Sequence, residues 1–575
     1  MLLVYIALSS AENVLPNDII GLQSLFDSTN GADWIWKPVA TNGGKWDFTG
    51  TNVNPCKPTA WQGLECSCSS TICTVTEIQL EAYDLAGILP SNLTLLSSLS
   101  KLYLNENKLS SIIPPVLTNM TSLVRLSLSG NKDLIGSIPL FSTFLEHLAL
   151  ADTGITGTIP TSLLLSSKLE TIELYHNKFG GTMPSFFAEF SFLQYLRLGS
   201  CDFTGTLPWQ FGSLVTLTKF DISENRLYGT IPTSFNNLIN MQDIIIGKNN
   251  FTGTFPTALL AMTNLRTLIF GSCSFTGSLP SALGELTLMQ LFTGNENNFM
   301  GSIPSSFGNM LHLTELDFSA NYLSGELPST LSQLSSLVWL YFISNRLEGT
   351  IPDTFFDGMV TLYFTDFYHN LLTGTFPSGV SNANSLHYLE FTGNYLTGTL
   401  PSTLGDISHL TGLMFEENML TGTLPTFICG NLHLEDWKIN NNSMHGTIPD
   451  CIGDSLGDLK TADLSNNYFS GTIPQSFSKL TSMQTLILTD NVFYGRLDDD
   501  LPTNIITLDL SSNGFSGPLP YYVFTPQLST FAASDNCFTG SIGESICDAT
   551  DLFALVLTGI GSSRICSDVV FDRSA

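Results

Sequence analysis

A glycine followed three residues later by a proline returns at every twenty-fourth position, the prolines being Pro184, Pro208, Pro232, Pro256, Pro280, Pro304, Pro328 and Pro352. A fixed period in this range marks a solenoid, in which each repeat buries its apolar side only by stacking on its neighbours. Such a stack encloses no deep cleft. Whatever the chain does must be done by surface side chains that change from coil to coil.

One coil reads Leu193-Gln194-Tyr195-Leu196-Arg197-Leu198-Gly199-Ser200-Cys201-Asp202-Phe203-Thr204-Gly205-Thr206-Leu207-Pro208, and the next opens at Leu217. The template is L-x-x-L-x-L-x-x-N-x-[LF]-x-G-x-[IL]-P-x-x-[LF]-x-x-L. In L-x-L the two aliphatic residues point inward and the one between them outward, as strand alternation requires. The column of Asn that includes Asn107, Asn177, Asn225, Asn249, Asn345 and Asn394 stands where the chain turns inward. Its amides are expected to bond the backbone of their own coil and of the next. Gly permits the turn that follows, and Pro sets φ for the opposite side of the coil. Cys201 and Cys273 replace the Asn and are expected to be free structural thiols.

This template resembles the plant-type subclass of leucine-rich repeats, over nearly all of residues 76 to 560 and in about twenty coils. The resemblance implies an α/β solenoid. Its elements would be a right-handed superhelix, a long parallel concave sheet, a short second sheet and disulfide-stapled end caps. It also implies extracellular recognition, since such proteins include receptor ectodomains, receptor-like proteins and inhibitors of wall-degrading polygalacturonases. It names no single ligand.

Residues 1–11 are expected to be a truncated signal peptide, with an apolar run Met1 to Leu8 before Ser9-Ser10-Ala11. Residues 12–75 form an N-terminal cap, 76–545 the repeats and 546–575 a C-terminal cap. The front cap should hold an amphipathic helix over Asn13 to Phe26 and a loop carrying Trp34, Trp36 and Trp46. Cys56-x4-Trp61-Gln62-Gly63-Leu64-Glu65-Cys66 resembles the C-x-W-x-G-V-x-C cap of plant-type repeats, with longer spacing and two further cysteines. That resemblance implies a Cys56–Cys66 staple, with Cys68 and Cys73 closing a second small loop. Two of Cys537, Cys547 and Cys566 are expected to pair, with Cys547 and Cys566 assigned to that bond, and Cys429 and Cys451 fall in adjacent coils. The pattern loosens between Pro139 and Pro160, at Arg496-Leu497-Asp498-Asp499-Asp500, and where Gly543 replaces the proline.

Fifty acidic against twenty-one basic residues give a net charge of −29, which repels phosphate backbones and excludes nucleic acid as a partner. Beyond the N-terminus no apolar run is long enough to span a membrane. The expectation is a secreted or cell-surface glycoprotein, with sequons at Asn92, Asn119, Asn250 and Asn441. The eight histidines form no catalytic set, and neither an enzyme activity nor a cofactor or metal is expected. His409 and His433, one coil apart, should share a surface column.

The outward columns carry the functional expectation. Trp339, Tyr341, Ile343, Phe364, Asp366, Tyr368, Tyr388 and Glu390 fall on consecutive coils, with Asp317 and Glu416 at the rim. Large aromatics rimmed by charge have the composition of an interface hot spot, here for an extracellular protein, peptide or glycan. Two alternatives are an inhibitor of a secreted glycosidase and a binder of ice or crystalline polysaccharide. The second would use the Thr ladder that includes Thr206, Thr230, Thr254, Thr375, Thr399 and Thr423. The plainer account of that ladder is that β-branched Thr suits a short second sheet.

Overall fold

The computed structural model describes residues 13–38, 43–50, 53–57, 59–69, 72–430, 433–540 and 543–559. The expected signal peptide and Cys566 lie outside them. The chain divides into two compact units, Met1–Phe275 and Thr276–Ala575.

The first unit begins with a two-residue strand, Asn13–Val14, paired parallel with Ile72 and Cys73. Because the chain is committed there to extended backbone, the cap helix starts later than expected and spans Pro16–Ser28. Proline at its first turn supplies a suitable φ and lacks only an N–H that would be unpaired anyway. Asp18 is fully buried, and its Oδ2 accepts a hydrogen bond from the Val75 N–H at 2.8 Å, tying the helix to the first repeat strand. Trp34 and Trp46 are buried edge to face at 5.0 Å, with Phe26 against both. Leu64–Cys68 and Ile72–Gln79 make an antiparallel hairpin whose end is closed by the Cys68–Cys73 disulfide. Cys56–Cys66 fastens the preceding loop to the same hairpin.

Coils then repeat one mechanism. Tyr195–Arg197 pairs in parallel register with Thr171–Glu173 on one side and Lys219–Asp221 on the other. Leu196 and Phe220 point into the core while their neighbours are at least partly exposed. Asn225 shows why the chain needs its Asn column. Its Oδ1 accepts from the N–H groups of Cys201 and Phe203, and its Nδ2 donates to the carbonyls of Leu198 and Ile222. The bonds therefore run to its own coil and to the preceding one, not the following one as expected, because the amide points back under the turn it closes. Cys201 fills this position with a thiol that donates to Leu174 O, and burial pushes its pKa up to about 12.

After the Asn, a short second-sheet strand ends at Gly. Gly229 has φ +84°, and a Cβ there would meet the γ-methyl of Thr206 at 3.1 Å. One position thus requires both the conformational freedom and the smallness of glycine. Pro232 follows and leads into the 3₁₀ turn Thr233–Asn237, which buries Phe235. The Pro139–Pro160 coil has no such turn. Beside it the second sheet thins to the isolated bridges Thr156↔Lys178 and Thr182↔Thr204.

The second unit uses the same coil. Its strands Leu291–Thr293, Glu315–Asp317, Trp339–Tyr341, Phe364–Asp366, Tyr388–Glu390 and Gly412–Met414 pair in sequence, all parallel. Beneath them Phe342, Phe367, Phe391 and Phe415 stack at 5.7, 5.1 and 5.7 Å. Each buried ring contributes about 2 kcal/mol of apolar burial. Cys429 and Cys451 form a disulfide. The repeat continues past residue 545, since Ala554–Val556 pairs parallel with Thr530–Ala532. The assignment of Cys547 to a disulfide is corrected: it is an exposed free thiol on the 3₁₀ turn Glu544–Asp548, whereas Cys537 is disulfide-bonded.

Candidate functional site

Parallel pairing places the outward aromatics of the second unit side by side. Trp339 aligns with Phe364 and Phe364 with Tyr388, while Tyr341 aligns with Asp366 and Asp366 with Glu390. Strand spacing of about 4.8 Å then forces large side chains into contact. Tyr341 and Phe364 lie 5.3 Å apart, Phe364 and Tyr388 5.5 Å, Trp339 and Phe364 6.1 Å, and Trp339 stacks on Tyr341 at 6.4 Å. All four are half-buried, so they form a fixed aromatic floor with ring surface still open.

The floor extends further than the sequence columns indicated. Trp339 also meets Tyr363 at 5.3 Å, Tyr363 stacks on His387 at 4.1 Å, and His387 stacks on His409 at 5.6 Å. Tyr363 and His387 stand one residue ahead of the strand, a position whose two consecutive ring-bearing residues were the available signal. His409 therefore stacks on His387, while His433 pairs with Asp458 at 2.8 Å. Two expected members stand apart from the floor. Tyr368 is 37% exposed and stacks on His369 at 4.0 Å. Ile343 is half-buried, its N–H donating to Ser319 Oγ.

Carboxylates border the rings. Asp317, Asp366 and Glu390 accept from polar groups two residues on, as Asp366 Oδ1 does from Tyr368 N–H at 2.9 Å and Glu390 Oε1 from Thr392 N–H at 2.7 Å. Thr392 Oγ1 also donates to Glu416. Among the described residues none of the four is in an ion pair. Burial against the rings raises the pKa of Asp366 to about 6, helped by the charge of Asp317, and that of Glu390 to about 7, helped by Glu416 and Asp366. Burial likewise raises Asp317 and Glu416, and it lifts the Tyr341 phenol to about 12.

On the corresponding face of the first unit, acids and bases of neighbouring strands pair. Arg197 lies between Glu173 (3.4 Å) and Asp221 (3.8 Å), with its guanidinium 4.3 Å from the Tyr175 ring centre, and Lys219 pairs with Asp243 at 3.2 Å.

The Thr ladder is exposed on the second sheet, but its γ-methyls pack on the glycine of the next coil, as Thr399 does on Gly422. Packing accounts for its regularity. The four sequon asparagines, Asn92, Asn119, Asn250 and Asn441, are exposed. Among the described residues no group of three His, Cys, Asp or Glu is placed to hold a metal, and no helix is long and apolar enough to cross a membrane.

Comparison with known proteins agrees with the repeat architecture. The Leucine Rich Repeat family model matches residues 98–120, 192–214, 216–238, 264–286, 312–334, 385–407 and 458–480. The chain carries leucine-rich repeats at those positions. Its repeats are 33% identical over 103 residues to Receptor-like protein 7 and 37% identical over 99 residues to Receptor-like protein 54, both of Arabidopsis thaliana. Those alignments take in 17% of this chain in each case, and only 10% and 12% of the relatives' own lengths. Among solved structures, the Arabidopsis receptor kinase HAESA, in complex with the peptide hormone IDA and the co-receptor SERK1, is similar with a TM-score of 0.79. It is 28% identical, over 96% of this chain and 97% of that one. The plant peptide hormone receptor RGFR1 in complex with RGF2 is similar with a TM-score of 0.74 and 29% identity, over 82% and 79%. The leucine-rich-repeat fold of this chain is thus that of plant receptor ectodomains.

Proposed function

We propose that this chain is an extracellular recognition module that docks a peptide or an extended protein segment on the aromatic floor of its second unit, and that it catalyses no reaction. The observation that carries this reading is the unbroken contact among Trp339, Tyr341, Phe364 and Tyr388 on three consecutive strands, half-buried and rimmed by acids. Rigid aromatic rings lose little conformational freedom on binding and bring a large contact area, which is why they dominate interface energetics. Structural neighbours solved with peptide hormones support a peptide as the class of partner. Disulfides in the cap and exposed sequons support an oxidising, extracellular setting.

The test is selection of a displayed peptide library on the immobilised chain, followed by counter-selection on Trp339→Ala and Phe364→Ala. Peptides that bind the parent and lose at least about tenfold in affinity on either variant support the reading. Binders indifferent to both variants would overturn it. Binding of neutral oligosaccharides that depends on the same two rings would reassign the floor to glycans.

A further inference from the structure

The two units treat the acids on their strand faces differently. In the first, carboxylates on neighbouring strands meet cations: Glu173 and Asp221 flank Arg197, and Asp243 holds Lys219. The arginine itself lies over an aromatic ring, that of Tyr175. In the second, Asp366 and Glu390 are aligned on neighbouring strands beside Tyr341 and Phe364, and no cation of the described residues pairs with them. Carboxylates, aromatic floor and register are all there, while the guanidinium that completes the set in the first unit is missing. Half-buried carboxylates without a counter-ion are costly, and a desolvated ion pair recovers that cost only with good geometry and hydrogen bonds.

Resting on the peptide-docking reading above, we infer that the segment bound here presents an arginine side chain, its guanidinium against Asp366 and Glu390 and its plane over Tyr341 and Phe364. A planar guanidinium can stack on a ring and bridge two carboxylates at once, which an ammonium cannot do as well. The wider surroundings favour a cation too. Asp317 and Glu416 extend the acidic row on either side, Glu315 lies on the Asp317 strand, Lys438 lies beyond Glu416, and the imidazoles of His387 and His409 stack at the edge of the floor. An incoming cation holds both carboxyls ionised, so binding near neutral pH releases protons and weakens as the pH falls. The raised pKa values of Asp366 and Glu390 place that release between about 6 and about 7.

Hexa-arginine and hexacitrulline, its uncharged isostere, are the probes, titrated calorimetrically at about 0.15 M salt to screen the general negative charge. The expected result is hexa-arginine binding that falls about tenfold in Asp366→Asn and Glu390→Gln. It should be unaltered in Glu348→Gln, an exposed acid of the second sheet, and its enthalpy should depend on the buffer's ionisation heat near pH 6.5. Hexacitrulline binding as tightly as hexa-arginine, with both lost in Trp339→Ala, would overturn the arginine assignment and leave the docking floor standing. Binding insensitive to Trp339→Ala, Asp366→Asn and Glu390→Gln alike would overturn both. Equal binding of hexalysine would overturn the guanidinium preference.

Discussion

Tyr388 lies across the Cα of Gly412 on the next strand, so closely that a Cβ built on that glycine would stand 2.3 Å from the ring. The glycine has no backbone requirement for its identity, because its φ is outside the left-handed region. Its role is to leave room for the ring. Gly412→Val is therefore expected to push Tyr388 off the floor, lowering affinity for any ligand of the aromatic face several-fold. Stability should fall by about 1 kcal/mol, because the clash is with a side chain that can move into solvent. Parallel titration and thermal unfolding check both numbers.

The acids of the floor make stability depend on pH in an unusual direction. Asp366 and Glu390 have folded-state pKa values of about 6 and about 7, above their ordinary 3.8 and 4.5. The folded chain thus holds more protons than the unfolded chain across that window, so their contribution is largest at low pH and declines as pH rises to about 7. Glu390→Gln should stabilise the unliganded protein by about 1 kcal/mol at pH 8 and by much less at pH 4.5. Denaturant unfolding of variant and parent at the two pH values measures the difference. A difference larger at the lower pH would contradict the burial of Glu390.

Beneath the floor, Thr365 occupies an inward position that the template reserves for an aliphatic residue. It is fully buried, and its Oγ1 has no hydrogen-bond partner. Thr365→Val keeps the shape and removes the stranded hydroxyl, so it should stabilise the chain by about 1 kcal/mol. Loss of stability would show that the hydroxyl is satisfied in solution.

Asn225 illustrates the opposite case. Replacing it with Ala strands the Cys201 and Phe203 N–H groups and removes two donations to buried carbonyls. Destabilisation of about 3 kcal/mol is expected, concentrated in its own and the preceding coil. Hydrogen exchange resolved by coil should show faster exchange there and little change in the second unit.

Thiol labelling separates the free cysteines. Cys547, exposed, should react with a maleimide in the native protein, whereas Cys201, buried with its pKa raised to about 12, should react only on unfolding.

The coil mechanism was legible residue by residue. L-x-L alternation, the Asn turn and the Gly–Pro step each have one physical reason that recurs at the same spacing, so the template identified the inward positions. The direction of the Asn bonds was not legible, because either neighbouring coil presents the same kind of backbone groups. At the site, Trp339, Tyr341, Phe364 and Tyr388 could be found in the columns. Tyr363, His387 and His409 could not, because their contacts run diagonally between columns and depend on side-chain direction. Cys547 was misassigned because cysteine spacing does not report which thiols face outward.

By itself the sequence determined the repeating interior: a periodic chain puts identical residues into identical environments, so one coil's solution holds for all. Tertiary structure decided which outward side chains touch and which acids lack a cation, as between Arg197 in the first unit and the open pair Asp366 and Glu390 in the second. Those outcomes depend on neighbours more than twenty residues away, whose rings and charges meet only once the strands are in register.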